Sequence, residues 1–236
     1  MARGARVKLG VLLPSFEVGA SHALAVAAEA DARGLDGVFA YDHLWPMGSP
    51  QRPALAPFPL LAAVASASTR LVVGPLVARV GVVGTAHLVQ EFSTLATIAP
   101  GRVVAALGTG DRLSAAENEA YGVVTRSAQA RRELMAETAR ALRDSMEVWI
   151  GAGSSATNAL AREVGAQLNV WNATPDEVRD HARRGPVTWA GPVPSDLHAL
   201  LDALAAAGAN WAVLSPHVRL DALAEWRRRR EVTNFP

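Results

Sequence analysis

The 236-residue sequence contains no cysteine, which excludes a disulfide framework, a thiolate nucleophile and a cysteine-based zinc site. It has one lysine, Lys8, at the start of the first predicted strand, so lysine Schiff-base chemistry is discounted. It also lacks an apolar run of about 20 residues that would cross a membrane, and an apolar leader ahead of the first strand. We therefore expect a soluble, cytoplasmic protein with no membrane partner.

The sequence also has no large excess of positive or negative residues. The formal net charge is +1, and the basic residues are spread along the chain except for the run from Arg227 to Arg230. Such a run at the end of the last predicted helix complements the helix dipole, so we expect no nucleic-acid partner. Hydrophobic residues make up 50% of the sequence, which is enough to fill a large core.

The hydrophobic pattern alternates eight times between a short β-branched run and a longer helical segment rich in alanine and leucine. The predicted strands are Val7–Leu13, Gly37–Tyr41, Leu71–Val77, Arg102–Leu107, Glu147–Ile150, Ala166–Val170, Val187–Ala190 and Asn210–Leu214. Eight such units without a linker predict an α/β fold, a (β/α)8 TIM barrel in one compact domain over residues 1–236. An open, doubly wound sheet is the alternative.

The carboxyl ends of the strands hold the reactive groups of a TIM barrel. The second predicted strand is followed by Asp42, His43, Leu44 and Trp45. An imidazole titrates near neutral pH, so a histidine beside an acid and an aromatic side chain suits proton transfer next to a stacked ring. The alternative is a structural histidine that forms a hydrogen bond with the neighbouring loop.

Glycine-rich turns follow the fourth and fifth predicted strands. In the first, Gly108 to Asp111, glycine allows close approach to a phosphate or a flat ring, and Asp111 can hold or move a proton. A tight turn also favours glycine, so a structural role stays open. The second, GAGSSA over residues 151–156, matches the pattern G-x-G-x-x-A, but no acid stands about 20 residues further on. A phosphate-binding turn in a barrel is therefore favoured over a Rossmann site.

Metal-dependent hydrolysis is another chemistry that TIM barrels host, and six histidines leave it open in principle. The spacing argues against it. The second strand ends in Asp-His rather than in two histidines on one face, and no other strand end supplies a paired histidine and acid. No metal site is predicted.

The order of the motifs resembles the luciferase-like monooxygenase superfamily, particularly the branch that uses the deazaflavin coenzyme F420. The motifs are VKLGVLLPS, GLDGVFAYDHLWP, TRLVVGPLV, APGRVVAALGTGDRLSAAENEAYG and VWIGAGS. The likeness continues more loosely through WNATPDE, VTWAGP and AAGANWAVLSP. Each motif alone is weak, but five in register are specific.

This resemblance implies a (β/α)8 barrel that holds a flavin or deazaflavin ring over the strand ends, with its phosphate toward the loops after strands four and five. It implies catalytic roles in proton transfer for His43, near the reactive carbon of the ring, and for Asp111. A bulge that supports the back of the ring, often with a non-prolyl cis peptide, maps to Leu76–Val77. The implied cofactor-binding residues are Asp42, Trp45, Leu76, Val77, Thr109, Gly110, Gly153 and Ser154.

The sequence departs from the family between Tyr121 and the strand that contains Val148. Relatives carry a longer stretch there, including an insertion that helps to cover the substrate. Only one helix is predicted in this chain, so the insertions are shortened and we expect a shallower site.

The expected activity is the transfer of a hydride between bound coenzyme F420 and a small organic substrate. One alternative is an FMN-dependent monooxygenase that receives reduced flavin from a separate reductase. Another is a non-catalytic flavin-binding barrel that has lost its lid. The expected partners are the small-molecule substrate, a flavin or F420 reductase, and a second copy of the chain, because dimers through helices two and three are common in the family.

Overall fold

Nine short strands form a parallel sheet at the centre of the protein. The computed structural model describes residues 6–46, 48–50, 52–110, 114–120 and 122–233. Within these residues the strands are β1 (Lys8–Leu12), β2 (Gly37–Ala40), β3 (Val72–Pro75), β4 (Ala78–Arg79), β5 (Val104–Gly108), β6 (Glu147–Gly151), β7 (Gln167–Trp171), β8 (Val187–Gly191) and β9 (Trp211–Leu214). Their order in the sheet is β3-β2-β1-β9-β8-β7-β6-β5-β4. All eight predicted strands are confirmed; the third corresponds to β3, and β4 lies beyond the predicted end of that strand at Val77.

The two ends of this sheet meet and close it into a barrel. β3 and β4 are separated by a cis peptide bond between Leu76 and Val77, at the position that the family resemblance implied. β4 pairs in parallel with β5. The backbone N–H of Val73 in β3 donates to the carbonyl oxygen of Arg102 at 2.8 Å, just before β5. The (β/α)8 barrel is therefore confirmed, and the open sheet is excluded.

Helices surround the barrel and connect its strands. They are α1 (Ser21–Ala32), α2 (Pro57–Ala67), α3 (Thr85–Ile98), α4 (Ala115–Ala120), α5 (Ala128–Leu142), α6 (Ser155–Glu163), α7 (Pro175–Ala182), α8 (Leu197–Ala207) and α9 (Leu220–Thr233). The short helix α4, in the segment that follows β5, was not predicted from the sequence. No helix within the described ranges has the length and apolar character needed to cross a bilayer.

Three large aromatic side chains fill the inside of the barrel. Phe39, Trp149 and Trp211 are each at most 1% exposed. The ring centroid of Phe39 lies 5.2 Å from that of Trp149 and 5.6 Å from that of Trp211. Such contacts stabilise the fold beyond the area that they bury. The barrel interior is thus a packed core rather than a channel, and binding is confined to its ends.

Gly74 stands at the seam where β3 approaches β5. A Cβ at this position would overlap the backbone carbonyl oxygen of Val104. Because backbone cannot move aside as the end of a flexible side chain can, Gly74→Ala is expected to lower the free energy of unfolding by about 1–3 kcal/mol. Chemical denaturation measures this change. Gly19→Ala is the control, since a Cβ there has nothing within 4 Å, and equal stability of both variants would contradict a tight seam.

Candidate functional site

His43 lies at the carboxyl end of the barrel, in the loop that follows β2, and contacts a buried acid. Its Nδ1 atom is 3.1 Å from Oε2 of Glu117, a residue of α4 that is only 2% exposed. The carboxylate of Glu117 also accepts the backbone N–H of Leu44. One carboxylate therefore holds both the imidazole ring and the loop that carries it. A partner at Nδ1 fixes the tautomer and the orientation of a histidine.

Arg79, the last residue of β4, balances the charge of Glu117. Arg79 is 5% exposed, and its Nη1 and Nη2 atoms lie 3.3 and 3.2 Å from the two oxygens of the carboxylate. Nη1 also donates to Oδ1 of Asn118 at 3.2 Å. This two-point geometry pairs a cation and an anion that would each be costly to bury alone. We call Arg79, Glu117 and His43 the Glu117 cluster.

Asp42 is tied to the Glu117 cluster through the backbone. Its carboxylate accepts the backbone N–H of Arg79 at 2.8 Å, so it links the loop after β2 to β4. Burial raises the pKa of Asp42 above its ordinary value, and the hydrogen bond from Arg79 opposes that rise. The observed role of Asp42 is thus to hold the loop of His43, and its contact with a cofactor stays a prediction.

Glu117 was missed by the sequence reasoning, although it lies inside a motif that carries the family resemblance. Only the acid directly after Gly-Thr-Gly, Asp111, received a role. The segment AAENEA has no apolar period that would indicate a buried face. The available signal was Arg79, since a cation at the end of a buried strand needs an anionic partner. Asp111 itself lies outside the described residues, as do Arg112 and Leu113.

Aromatic rings lie beside His43 at the mouth of the barrel. Phe16 and Tyr41 stack with their centroids 5.3 Å apart, and the His43 ring lies 6.5 Å from each. Tyr41 is also 6.4 Å from the ring of Trp171, the last residue of β7. Burial raises the pKa of Tyr41 to about 12, so its hydroxyl stays protonated at neutral pH. Trp45, the aromatic wall expected from the sequence, is half-buried in the loop of His43.

An apolar floor lies at the ends of β4, β5 and β6. Val77 packs against Gly108 and Gly151, the last residues of β5 and β6. A Cβ on Gly108 would overlap Cγ2 of Val77, and one on Gly151 would lie 3.7 Å from Cγ1 of Val77. Glycine therefore allows bare backbone to reach Val77 here. Leu76, by contrast, is 5% exposed and belongs to the core inside the barrel.

The turn formed by Thr109 and Gly110 follows β5 beside this floor. Gly110 has a φ of +65°, a left-handed conformation that glycine adopts without strain. Arg131 of α5 supports the turn: its Nη1 atom donates to the carbonyl oxygens of Thr109 and Gly110 at 3.2 and 3.3 Å. The hydroxyl of Thr109 donates to the Gly110 carbonyl oxygen at 3.3 Å. The predicted cofactor-binding turn is thus a defined structure, held by a residue that the sequence reasoning did not select.

Loss of the Arg131 guanidinium should loosen this turn. Arg131→Met removes two charge-assisted hydrogen bonds to the turn, so we expect the paired backbone amides at the carboxyl end of β5, next to the turn, to exchange at least about tenfold faster with solvent deuterium. Hydrogen exchange read by mass spectrometry measures the change. Arg132→Met, one position further along α5, is the matched control. Unchanged exchange in Arg131→Met would show that the turn is held by other contacts.

Gly153 and Ser154 lie at the start of α6, on the rim of the barrel mouth. Ser154 is the N-cap residue, and its side-chain oxygen accepts the backbone N–H of Thr157 at 3.3 Å. The N–H of Gly153 donates to Oδ1 of Asn158 at 3.1 Å. These groups are therefore used within the helix cap. Phosphate binding at this turn stays a prediction, and it would rely on the N–H groups of the first helical turn.

Metal-binding residues do not gather anywhere in the described part of the chain. No group of three or more histidine and acidic residues is arranged there to hold an ion. In the Glu117 cluster, the carboxylate of Glu117 instead contacts the imidazole of His43 and pairs with the guanidinium of Arg79. Such a set of groups suits proton transfer beside an apolar floor, at the barrel end where active sites of this fold occur.

The sequence of the chain is similar to a known protein family and to individual proteins. The chain matches a family model described as luciferase-like monooxygenase over residues 7–147. F420-dependent glucose-6-phosphate dehydrogenases of Nakamurella multipartita and Beutenbergia cavernae are 31% and 32% identical to it over 109 and 116 residues. These matches cover 46% and 47% of this chain but only 32% and 33% of the relatives, so the chain matches about a third of their length.

A solved structure with a similar fold is an F420-dependent secondary alcohol dehydrogenase in complex with an F420-acetone adduct. The TM-score is 0.77, and the match covers 93% of this chain and 98% of that chain. The sequence identity is 16%, so this likeness shows a common fold.

Proposed function

Because this chain belongs to the luciferase-like monooxygenase family, we propose that it is an oxidoreductase that transfers a hydride between the deazaflavin coenzyme F420 and a small organic substrate. The observation that carries the proposal is the contact of His43 with the buried Glu117 at the mouth of the barrel. The choice of coenzyme follows from the relatives, two of which are F420-dependent dehydrogenases.

The residues at the mouth fit a flat, anionic coenzyme. Gly108 and Gly151 let the side chain of Val77 lie against their backbone, and the apolar floor that these residues form suits the face of a flat ring. The Thr109–Gly110 turn and the start of α6 lie next to this floor and would hold the phosphate-bearing tail. When bound, the deazaflavin accepts or donates the hydride.

His43 would hold or move the proton that accompanies hydride transfer. Glu117 occupies Nδ1, so we assign proton transfer to Nε2, the other nitrogen of the ring. Arg79 pairs with the buried carboxylate of Glu117 at 3.2 Å and balances its charge. Asp111 is the second candidate proton donor, and Trp45 would close the side of the pocket next to His43.

Two alternatives have specific support. The matching family model is described as a monooxygenase, which favours an FMN enzyme supplied with reduced flavin by a separate reductase. The stretch between Gly122 and β6 contains a single helix, α5, which favours a barrel that binds a flavin without turning over a substrate.

An anaerobic substrate screen distinguishes these functions. Purified protein is mixed with oxidised coenzyme F420 and small alcohols, or with the reduced coenzyme and small ketones, and the absorbance of the coenzyme is followed. We expect turnover with at least one pair. Oxygen consumption with reduced FMN, and none with the deazaflavin, would favour the monooxygenase, whereas no reaction with either coenzyme would favour the non-catalytic barrel.

A further inference from the structure

Trp171 presents a large apolar surface to solvent at the mouth of the barrel. It is 53% exposed, although it ends a strand whose three central residues are buried. In β7 the side chains of Gln167, Asn169 and Trp171 alternate with those of Leu168 and Val170, which belong to the core between the sheet and the helices. Trp171 therefore faces the inside of the barrel, above its packed interior.

The indole of Trp171 meets a ring from the opposite side of the barrel. Tyr41 directly follows β2, and three strands separate β2 from β7 in the sheet order. Nevertheless, the two rings have centroids 6.4 Å apart at an angle of 59°. With Phe16 stacked on Tyr41, these three side chains form an aromatic row across the mouth. On one side of this row lie the ends of β4, β5 and β6, which carry the floor of Val77, Gly108 and Gly151.

The register of the strands places Trp171 above that floor. Gly151 pairs with Asn169, and Trp171 stands two residues further toward the carboxyl end of β7. The exposed indole would therefore stand beside a ring held on this floor, at the open end of the barrel. A second molecule must approach from that open end in order to exchange a hydride with the ring.

We infer that Trp171 contacts the substrate and selects molecules with a planar apolar group next to the reacting carbon. This inference rests on the proposed hydride transfer. An exposed indole face gains by stacking on a planar ring, and the adjacent Tyr41 stays neutral, which keeps this wall of the pocket uncharged. His43 lies 6.5 Å from Tyr41, so a substrate held against the row would be near the proposed proton donor.

Two ketones of similar size test this selection. Acetophenone carries a planar ring and cyclohexyl methyl ketone a puckered one, and their dissociation constants are measured by calorimetry on protein saturated with oxidised coenzyme F420. We expect the wild type to bind acetophenone about three- to tenfold more tightly, Trp171→Phe to keep that preference, and Trp171→Ala to lose it. Ile98→Ala, a partly exposed position on α3, is the control and should behave as wild type.

The outcomes separate this inference from the proposed function. A preference that survives in Trp171→Ala overturns the inference, as does equal or absent binding of the two ketones by the wild type. If Trp171→Ala instead weakens coenzyme F420 binding and leaves the ketone preference intact, the residue contacts the coenzyme, and the assignment to substrate is wrong. Failure of the wild type to bind coenzyme F420 in the saturation step counts against the proposed function itself, and the ketone titrations are then run on the protein alone.

Discussion

Glu117→Leu is expected to lower the free energy of unfolding by about 3–5 kcal/mol, because it leaves the guanidinium of Arg79 charged and buried without its partner. Arg79 is 5% exposed and Glu117 2%, so water cannot solvate the remaining charge. The backbone N–H of Leu44 and Nδ1 of His43 lose their acceptor in the same change. Equilibrium denaturation with urea measures the loss.

A double-mutant cycle separates the ion pair from general damage to the fold. Arg79→Met alone should cost about as much as Glu117→Leu, whereas the double variant should recover at least about 1 kcal/mol relative to the sum of the two single changes. Arg183→Met breaks the exposed pair with Asp180 and, as the control, should change stability by less than about 1 kcal/mol. Additive effects of Arg79→Met and Glu117→Leu would show that the two charges are not coupled.

His43→Ala is expected to lower turnover at least about 100-fold, because it removes the group that holds or moves the proton. Binding of the deazaflavin should change by less than about threefold, since the floor beside Val77 and the turn at Thr109 stay intact. Steady-state kinetics and a fluorescence titration of the coenzyme measure the two quantities. His217→Ala, an exposed histidine in the loop after β9, is the matched control and should keep both.

Asp111→Asn provides a second test of the proton donors. We expect a loss of turnover with little loss of coenzyme binding, as for His43→Ala. Unchanged turnover in both variants would remove both proposed donors and would contradict hydride transfer by this site.

The barrel was predictable because strand and helix periods are local. Eight β-branched runs and the helical segments between them are visible in the sequence, and each became a strand. The end of the third strand was different, since Leu71–Val77 has one continuous apolar pattern. Only the family resemblance placed a bulge at Leu76–Val77, and the cis peptide bond lies at that position.

The site was predictable only in part, because its contacts join distant segments. His43 and Thr109 were recognisable as strand-end residues. Glu117 lies 74 positions after His43, on a short helix without an apolar period, so no local pattern pairs the two residues. Arg131 likewise received no role from the sequence, whereas the structure brings it against the turn after β5.

Trp171 shows the same limit for aromatic residues. The predicted strand ends at Val170, one residue before Trp171. Asn172 has a φ of +52°, so the chain turns there and Trp171 is the last strand residue. Its contact with Tyr41 depends on closure of the barrel, which brings opposite strands together. No local pattern indicates such a pair.

The identity of the bound coenzyme decides whether the proposed hydride transfer is correct. Purified protein is titrated separately with oxidised coenzyme F420 and with FMN, and equilibrium dialysis gives the two dissociation constants under the same conditions. We expect coenzyme F420 to bind at least about tenfold more tightly than FMN, a difference of about 1.4 kcal/mol. Tighter binding of FMN, or no binding of coenzyme F420, would contradict hydride transfer by bound coenzyme F420.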